Sequence, residues 1–191
     1  MSTTTRITLA EYERMIAEGA FAGGLNTPRI ELIEGELREM SPIGWEHVVA
    51  VAMLHEWSLK SLPEGQAWIW GQSPVAIPTR ESIPQPDLLW LARRDYLAAR
   101  PTPADVMLVV EVADSSLTYD RGEKADLYAS AGMADYWVVN IPGRCVEVFR
   151  QPEGGQYRSR EIFAAPAEVH PLAFPQIGLP VELLFPAESP R

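Results

Sequence analysis

The sequence predicts an α/β fold in which a mixed central sheet is flanked by helices and carries β-hairpins. Three features of the 191-residue chain point to this class. Val106–Ala113 is nearly all apolar and rich in β-branched residues, as is typical of a strand buried on both faces. Apolar residues recur at helical spacing within Gly44–Leu62, whereas those of Arg29–Met40 alternate with charged residues. Helices, hairpins and strands therefore follow one another, as expected of an α/β protein.

The N-terminal part is predicted to form two helices with a hairpin between them. Thr8 and Glu11 have the spacing of a capping box, which marks the start of the first helix. Glu34-Gly35 can turn the chain, so the alternating segment is expected to be a hairpin with one face toward water. The predicted elements are a helix over Leu9–Glu18, a loop over 23–28, a hairpin over Arg29–Met40 and a helix over Gly44–Leu62.

The rest of the chain is predicted to supply the sheet and one further helix. The expected elements are strands over Trp68–Ile77, Pro86–Leu91, Val106–Ala113 and Tyr136–Asn140, a helix over Tyr119–Ala131, and a strand over Cys145–Arg150 that Pro142-Gly143 turns back as a second hairpin. The Pro-rich extension 170–191 is expected to pack on the body of the protein. We predict a single domain over 1–191 with its core at about 29–150.

Charge and cysteine content restrict the function classes. The net charge of −10 argues against a general nucleic-acid binder, because such proteins rely on Lys and Arg to replace counterions. Small basic clusters remain, namely Arg93-Arg94 with Arg100, and Arg150 with Arg158 and Arg160. The single cysteine fits a cytoplasmic location. We expect no membrane association, because no apolar run has the length of a membrane span, and no secretory signal, because Met1–Thr8 lacks a basic start followed by an apolar run.

Glu111 is the first candidate site residue, because it stands in an otherwise apolar strand. An ionised carboxylate in a dry environment is costly unless it is paired, hydrogen-bonded or bound to a metal. A metal site is one explanation. A structural salt bridge, or a strand end that reaches water, is the other.

Asp87 and Lys124 extend this candidate site. Asp87 opens the apolar run that follows Pro86, and two carboxylates on neighbouring strands can form an oxygen-ligand site for Mg²⁺ or Mn²⁺. By itself, Asp87 could equally be a turn or cap residue. Lys124 shares a helix face with Tyr128 and could point toward the sheet. Its alternative is an exposed i, i+4 pair with Asp120.

Glu31 and His47 are auxiliary candidates. Glu31 could face inward from the hairpin and add a ligand, or it could belong to a solvated strand face with Glu34 and Glu36. The helix could aim His47 at the site, or leave it partly exposed. Gln72 and Asp120 are polar residues near the same elements and rank lower.

A set of short motifs resembles one known family. In order, the motifs are Ile30-Glu-Leu-Ile-Glu-Gly-Glu-Leu37, Met40-Ser-Pro42, His47, Gln85-Pro-Asp-Leu88, Val109-Val-Glu-Val112, Gly122-Glu-Lys124, Leu127-Tyr-Ala129, Gly132 and Tyr136-Trp-Val138. Together they resemble the Uma2 family, which belongs to the restriction-endonuclease-like PD-(D/E)XK superfamily. The resemblance runs from about Ile30 to Phe149.

The resemblance implies a mixed sheet flanked by helices with a metal-dependent nuclease centre. Asp87 matches the motif's Asp, and Glu111 matches its (D/E) position. The motif's lysine would fall at Ala113, but in Uma2-like sequences it has moved to the next helix, where Lys124 matches it. The implied Mg²⁺ (or Mn²⁺) ligands are Asp87, Glu111 and the backbone carbonyl of Val112. The following loop departs from the family's usual Ser-Pro-Ser, since it reads Asp114-Ser115-Ser116.

The leading hypothesis is a metal-dependent endonuclease that acts on DNA. One alternative is a scaffold or dimerisation module of the same fold, in which the charged residues persist as a buried ion-pair network. Another is a metal-dependent hydrolase of RNA or of small phosphate esters. Apolar surface on the hairpins and tail could support a homodimer.

Overall fold

The computed structural model describes residues 6–22, 29–41 and 43–185. The helices are α1 (Leu9–Ala17), α2 (Trp45–Ser61), α3 (Leu117–Tyr119), α4 (Ala125–Ser130) and α5 (Val181–Leu184), with a π-helical segment, Asp120–Lys124, between α3 and α4. The strands are β1 (Ile30–Ile33), β2 (Glu36–Glu39), β3 (Ala67–Gly71), β4 (Leu88–Ala92), β5 (Val106–Ala113), β6 (Asp135–Asn140), β7 (Cys145–Glu153), β8 (Gln156–Ala164), β9 (Glu168–Val169) and β10 (Leu179–Pro180). Short 3₁₀ turns lie at Pro78–Arg80 and Pro103–Asp105.

A mixed sheet forms the centre of the molecule. In the described residues its strand order is β3-β4-β5-β6-β7-β8. β5 and β6 run parallel, whereas the other neighbours are antiparallel. Parallel strands need a crossover connection, and here it carries α3, the π-helical segment and α4. The predicted class, a mixed sheet flanked by helices and hairpins, is therefore confirmed.

Apolar side chains cover both faces of this sheet. On one face Trp57 of α2 stacks on Trp90 of β4, with ring centroids 5.2 Å apart. On the other face Tyr128 of α4 meets Tyr136 of β6 edge to face at 5.0 Å. β5 is buried because it contributes residues to both clusters. No helix within the described ranges has both the length and the apolar character that crossing a membrane would require.

The predicted N-terminal elements are confirmed where the structure describes them. Thr8 and Glu11 form the capping box of α1. β1 and β2 pair as an antiparallel hairpin that turns at Glu34 and Gly35, both with positive φ. The water-facing side of this hairpin is limited to β2, since Glu31, Leu32 and Ile33 of β1 are buried. The predicted loop over 23–28 lies outside the described residues.

Two strand predictions need correction. The strand predicted over Trp68–Ile77 ends at Gly71, because Gln72 adopts a left-handed conformation with φ of 46°. The strand predicted from Pro86 starts at Leu88, so Asp87 lies just before it. The sequence does not predict β8, because Ser159 and Glu161 interrupt the apolar row that Tyr157 and Phe163 would otherwise form along this edge strand.

The crossover and the tail are both fixed to the sheet. Glu147 of β7 is fully buried and accepts hydrogen bonds from Arg121 of the π-helical segment, Asn140 and Arg160. The tail buries Val181 and Leu184 of α5 in the cluster beneath α2. Packing of the C-terminal extension is thus confirmed for its described part, while the single-domain assignment stays a prediction.

Candidate active site

All the predicted site residues line one pocket of about 310 Å³. The pocket lies between β1, the start of α2 and the π-helical segment. The start of β4 and the C-terminal end of β5 meet there. Its lining includes Glu31, His47, Asp87, Glu111, Val112 and Lys124. The fold therefore gathers side chains that are far apart in the sequence.

Asp87 is held by hydrogen bonds from three separate parts of the chain. Its Oδ2 accepts from the backbone N–H of Val112 at 2.8 Å. Its Oδ1 lies 3.1 Å from His47 Nε2 and 3.5 Å from Gln72 Nε2. Burial alone would raise the pKa of the Asp87 carboxyl group. The hydrogen bond and the charge of His47 have the larger combined effect, so the pKa lies below its usual value. Asp87 therefore stays ionised, and it is more than a turn residue.

Glu111 and Lys124 form a buried pair at the base of the pocket. The Lys124 ammonium lies 2.9 Å from Glu111 Oε1, which also accepts a hydrogen bond from the Tyr128 hydroxyl at 2.7 Å. Burial raises the pKa of Glu111 to about 8, and neighbouring carboxylates add to it while Lys124 opposes it. Burial lowers the pKa of Lys124, but the surrounding carboxylates outweigh it and raise the pKa well above its usual value.

Glu31 and Asp120 place further negative charge beside Lys124. Glu31 Oε2 lies 3.4 Å from the Lys124 ammonium, and Asp120 Oδ2 accepts a hydrogen bond from Ser116 at 2.5 Å. Both carboxyl groups are buried, as is Lys124. The solvated-face alternative for Glu31 and the exposed-pair alternative for Lys124 are therefore wrong. The hairpin turns Glu31 inward, and the π-helical segment turns Asp120 and Lys124 inward.

His47 lies at the mouth of the site with a side chain that is 13% exposed. Burial lowers the pKa of its ring, but the hydrogen bond and charge of Asp87 outweigh it, so the pKa is raised. The ring also hydrogen-bonds to the Val112 backbone. His47 thus contacts two of the three groups that the resemblance implies as metal ligands.

The sequence did not assign two tyrosines to the site. Tyr128 donates to Glu111, and the Tyr119 hydroxyl lies 3.3 Å from Glu31 Oε1. The i, i+4 spacing of Lys124 and Tyr128 was visible as a shared helix face, but it did not show what that face meets. No pattern marked Tyr119, which reaches Glu31 across 88 positions of the chain.

The charge balance of the pocket fits a divalent cation. Glu31, Asp87, Glu111 and Asp120 are buried around the ammonium of Lys124. Burial is the first cause of the raised pKa values of Glu111 and Asp120, and the charges of Asp87 and Glu31 add to it. In residues 6–22, 29–41 and 43–185 no group of three or more His, Cys, Asp or Glu side chains is arranged so that it could hold a metal ion. Mg²⁺ needs only one or two carboxylates, because water and substrate oxygens complete its shell.

We expect the metal-free protein to lose the stability that protonated Glu111 contributes as the pH rises from about 4.5 to 8. Folded Glu111 keeps its proton up to about pH 8, whereas the unfolded group releases it near 4.5, so the folded state binds more protons between these values. The raised pKa of His47 acts in the same direction. Urea unfolding in EDTA should show a smaller fall for Glu111→Gln than for the parent. An equal fall in both proteins would contradict the assignment.

Comparison with known proteins places the chain in a family. Residues 9–182 match the family model Uma2, described as "Putative restriction endonuclease". Among solved structures, a protein of Anabaena variabilis ATCC 29413 described as a "putative nuclease belonging to DUF820" superposes with a TM-score of 0.70 at 16% identity, covering 94% of this chain and 97% of that one. No curated protein matches. The fold is thus that of a nuclease-like relative, and the chain belongs to the Uma2 family of restriction-endonuclease-like proteins.

Proposed function

We propose that this protein is a divalent-metal-dependent endonuclease that hydrolyses phosphodiester bonds of DNA. The observation that carries the proposal is the buried Lys124–Glu111 pair, 2.9 Å apart, in a pocket that Asp87 also lines. Membership of a restriction-endonuclease-like family supports the reaction class.

Asp87, Glu111 and the backbone carbonyl of Val112 would hold Mg²⁺ or Mn²⁺. When bound, such a cation polarises the scissile phosphate and lowers the pKa of a water that it carries. The hydrogen bonds from the Val112 N–H to Asp87 and from Tyr128 to Glu111 fix the two carboxylates. Such outer contacts orient metal ligands and tune their affinity.

Lys124 would act as a fixed positive charge. Because its pKa is raised well above the usual value, the group stays an ammonium at neutral pH and is unsuited to accept a proton. It can donate hydrogen bonds to the attacking water or to the phosphate, where it stabilises the negative charge that develops. Glu31, 3.4 Å away, holds the ammonium from a second direction.

The same Lys124–Glu111 pair also agrees with the scaffold alternative. Glu111 and Lys124 satisfy each other directly, so the pair could persist as a structural ion pair. Such a protein would keep the charged residues without turnover. Hydrolysis of RNA or of small phosphate esters would use the same site residues, and substrate comparison separates it from DNA cleavage.

The proposal is tested by incubating supercoiled plasmid and single-stranded DNA with the protein and Mn²⁺. We expect cleavage by the parent, none in EDTA, and none by Asp87→Asn purified in the same way. Equal cleavage by parent and variant would indicate a contaminating nuclease and overturn the site. If neither cleaves and the parent binds no Mn²⁺ in a calorimetric titration, the scaffold alternative is correct.

A cytoplasmic location and a homodimer remain predictions. Two copies would present two sites, which suits cleavage of both strands of a duplex. Sedimentation velocity of the full chain over a range of concentrations measures the assembly state directly.

A further inference from the structure

A second pocket, rich in aromatic and arginine side chains, lies on the edge of the central sheet. Its volume is about 600 Å³, and we call it the aromatic pocket. Its lining residues are Trp68, Trp70, Arg93, Arg94, Asp95, Tyr96 and Leu97. β3 is an edge strand, so no further strand of the sheet covers this side in the described residues. Trp68 stays 39% exposed and Leu97 95% exposed.

The walls of the aromatic pocket are held in fixed orientations. Trp68 Nε1 donates a hydrogen bond to the carbonyl oxygen of Arg94 at 3.1 Å. The Arg93 guanidinium lies over the Trp68 ring, 3.6 Å from its centroid. Trp70 and Tyr96 meet edge to face with ring centroids 5.2 Å apart. The pocket therefore offers planar groups that need little reordering before a planar ligand stacks on them.

Arg93 differs from the other arginines of the two basic clusters in the sequence. The other five each pair with a carboxylate: Arg94 with Asp105, Arg100 with Glu13, Arg150 with Asp135, Arg158 with Glu153 and Arg160 with Glu147. In the described part of the chain Arg93 has no carboxylate partner and lies exposed. Its charge is thus available to an anionic ligand, on a protein whose net charge is −10.

The aromatic pocket and the candidate active site lie at opposite ends of β4. Asp87 directly precedes the strand and Arg93 directly follows its last residue. At about 3.3 Å per residue, the two ends are roughly 20 Å apart. A nucleic-acid strand that spans this distance could contact both sites at once.

We propose that the aromatic pocket binds single-stranded nucleic acid, with a base stacked on Trp68 and Arg93 and a neighbouring phosphate beside the Arg93 guanidinium. Bases stack on aromatic rings and on guanidinium planes in proteins that bind single strands. This inference extends the proposed nuclease function, because it identifies a substrate contact remote from the reacting phosphate.

A binding measurement under conditions that prevent cleavage tests the inference. Fluorescence anisotropy of a labelled oligothymidylate of about twelve nucleotides is measured with the full chain in EDTA. We expect Trp68→Ala to raise Kd at least about fivefold and Trp68→Phe to raise it less, because phenylalanine can still stack. Arg93→Ala should raise Kd and reduce the slope of log K against log salt by about 0.7. Arg158→Ala removes the same charge from an exposed position and should leave Kd unchanged.

The outcomes separate this inference from the proposed function. Unchanged binding by Trp68→Ala and Arg93→Ala, or equal weakening by Arg158→Ala, would overturn the aromatic pocket whatever the cleavage result. Loss of a dimer in Trp68→Ala, with binding unchanged, would assign the pocket to a second copy and also overturn it. Trp68-dependent binding by a parent that cleaves nothing would support the pocket and count against the nuclease. Circular dichroism checks that each variant is folded.

Discussion

Glu111→Gln is expected to abolish metal-dependent DNA cleavage while making the metal-free protein more stable at about pH 8. The substitution keeps the shape of the side chain but removes the charge that would bind the cation. Because metal catalysis is worth several kcal/mol, the rate should fall at least about a thousandfold. Stability should rise, because burial disfavours the ionised form of Glu111 and raises its pKa to about 8, while Glu31 and Asp120 still offset the charge of Lys124 when residue 111 is neutral.

Unfolding of the variant would lower activity and stability together, whereas this prediction expects activity to fall and stability to rise. Cleavage is measured on plasmid with Mn²⁺, and stability by urea unfolding in EDTA. Glu161→Gln, on the exposed side of β8, is the matched control and should change neither quantity. If Glu111→Gln cleaved at the parent rate, Glu111 would not be a metal ligand.

Lys124→Met is expected to destabilise the metal-free protein by about 3–5 kcal/mol, the usual cost of breaking a buried ion pair by removing one partner. The substitution leaves Glu111 and Glu31 buried without their shared ammonium. Lys60→Met removes an exposed lysine from an i, i+4 pair with Glu56 and should cost less than about 1 kcal/mol. Urea unfolding in EDTA at about pH 8 compares the variants.

The double variant Lys124→Met/Glu111→Gln tests whether the stability lost in Lys124→Met comes from the interaction between Lys124 and Glu111. If the cost arises from an uncompensated carboxylate, neutralising Glu111 should restore much of the stability that Lys124→Met removes. The double-mutant cycle then gives a coupling energy well above 0.5 kcal/mol, as expected for residues in direct contact. Strictly additive losses would show that Lys124 contributes by packing alone.

The sequence predicted the parts of the fold and site that local patterns encode. β5 followed from its apolar run, and Glu111 stood out because a carboxylate interrupts that run. The order of the motifs located Asp87 and Lys124, which line one pocket. The strand was predictable because its burial, and the cost of a charge within it, are visible in a single segment, whereas the roles of Asp87, Glu111 and Lys124 stay predictions.

The other features of the fold and site could not be predicted, because they depend on tertiary contacts between segments that are distant in the sequence. The pattern of β1 left the burial of Glu31 open, since Lys124, Tyr119 and the Gln85 N–H surround it from distant positions. The amino-acid composition of the π-helical segment does not distinguish it from an α-helix, although this segment determines which residues face the pocket. β8 carries mostly polar residues, because one side of an edge strand is open to water.

The crossover between β5 and β6 has a consequence for how the site assembles. A lysine on the same strand as Glu111 would be placed by strand geometry alone, whereas Lys124 reaches Glu111 only when the crossover is docked. Local opening of residues 114–134 would separate ammonium from carboxylate while the sheet stays paired. Amide exchange in this segment would therefore report on the population of assembled sites, independently of global unfolding.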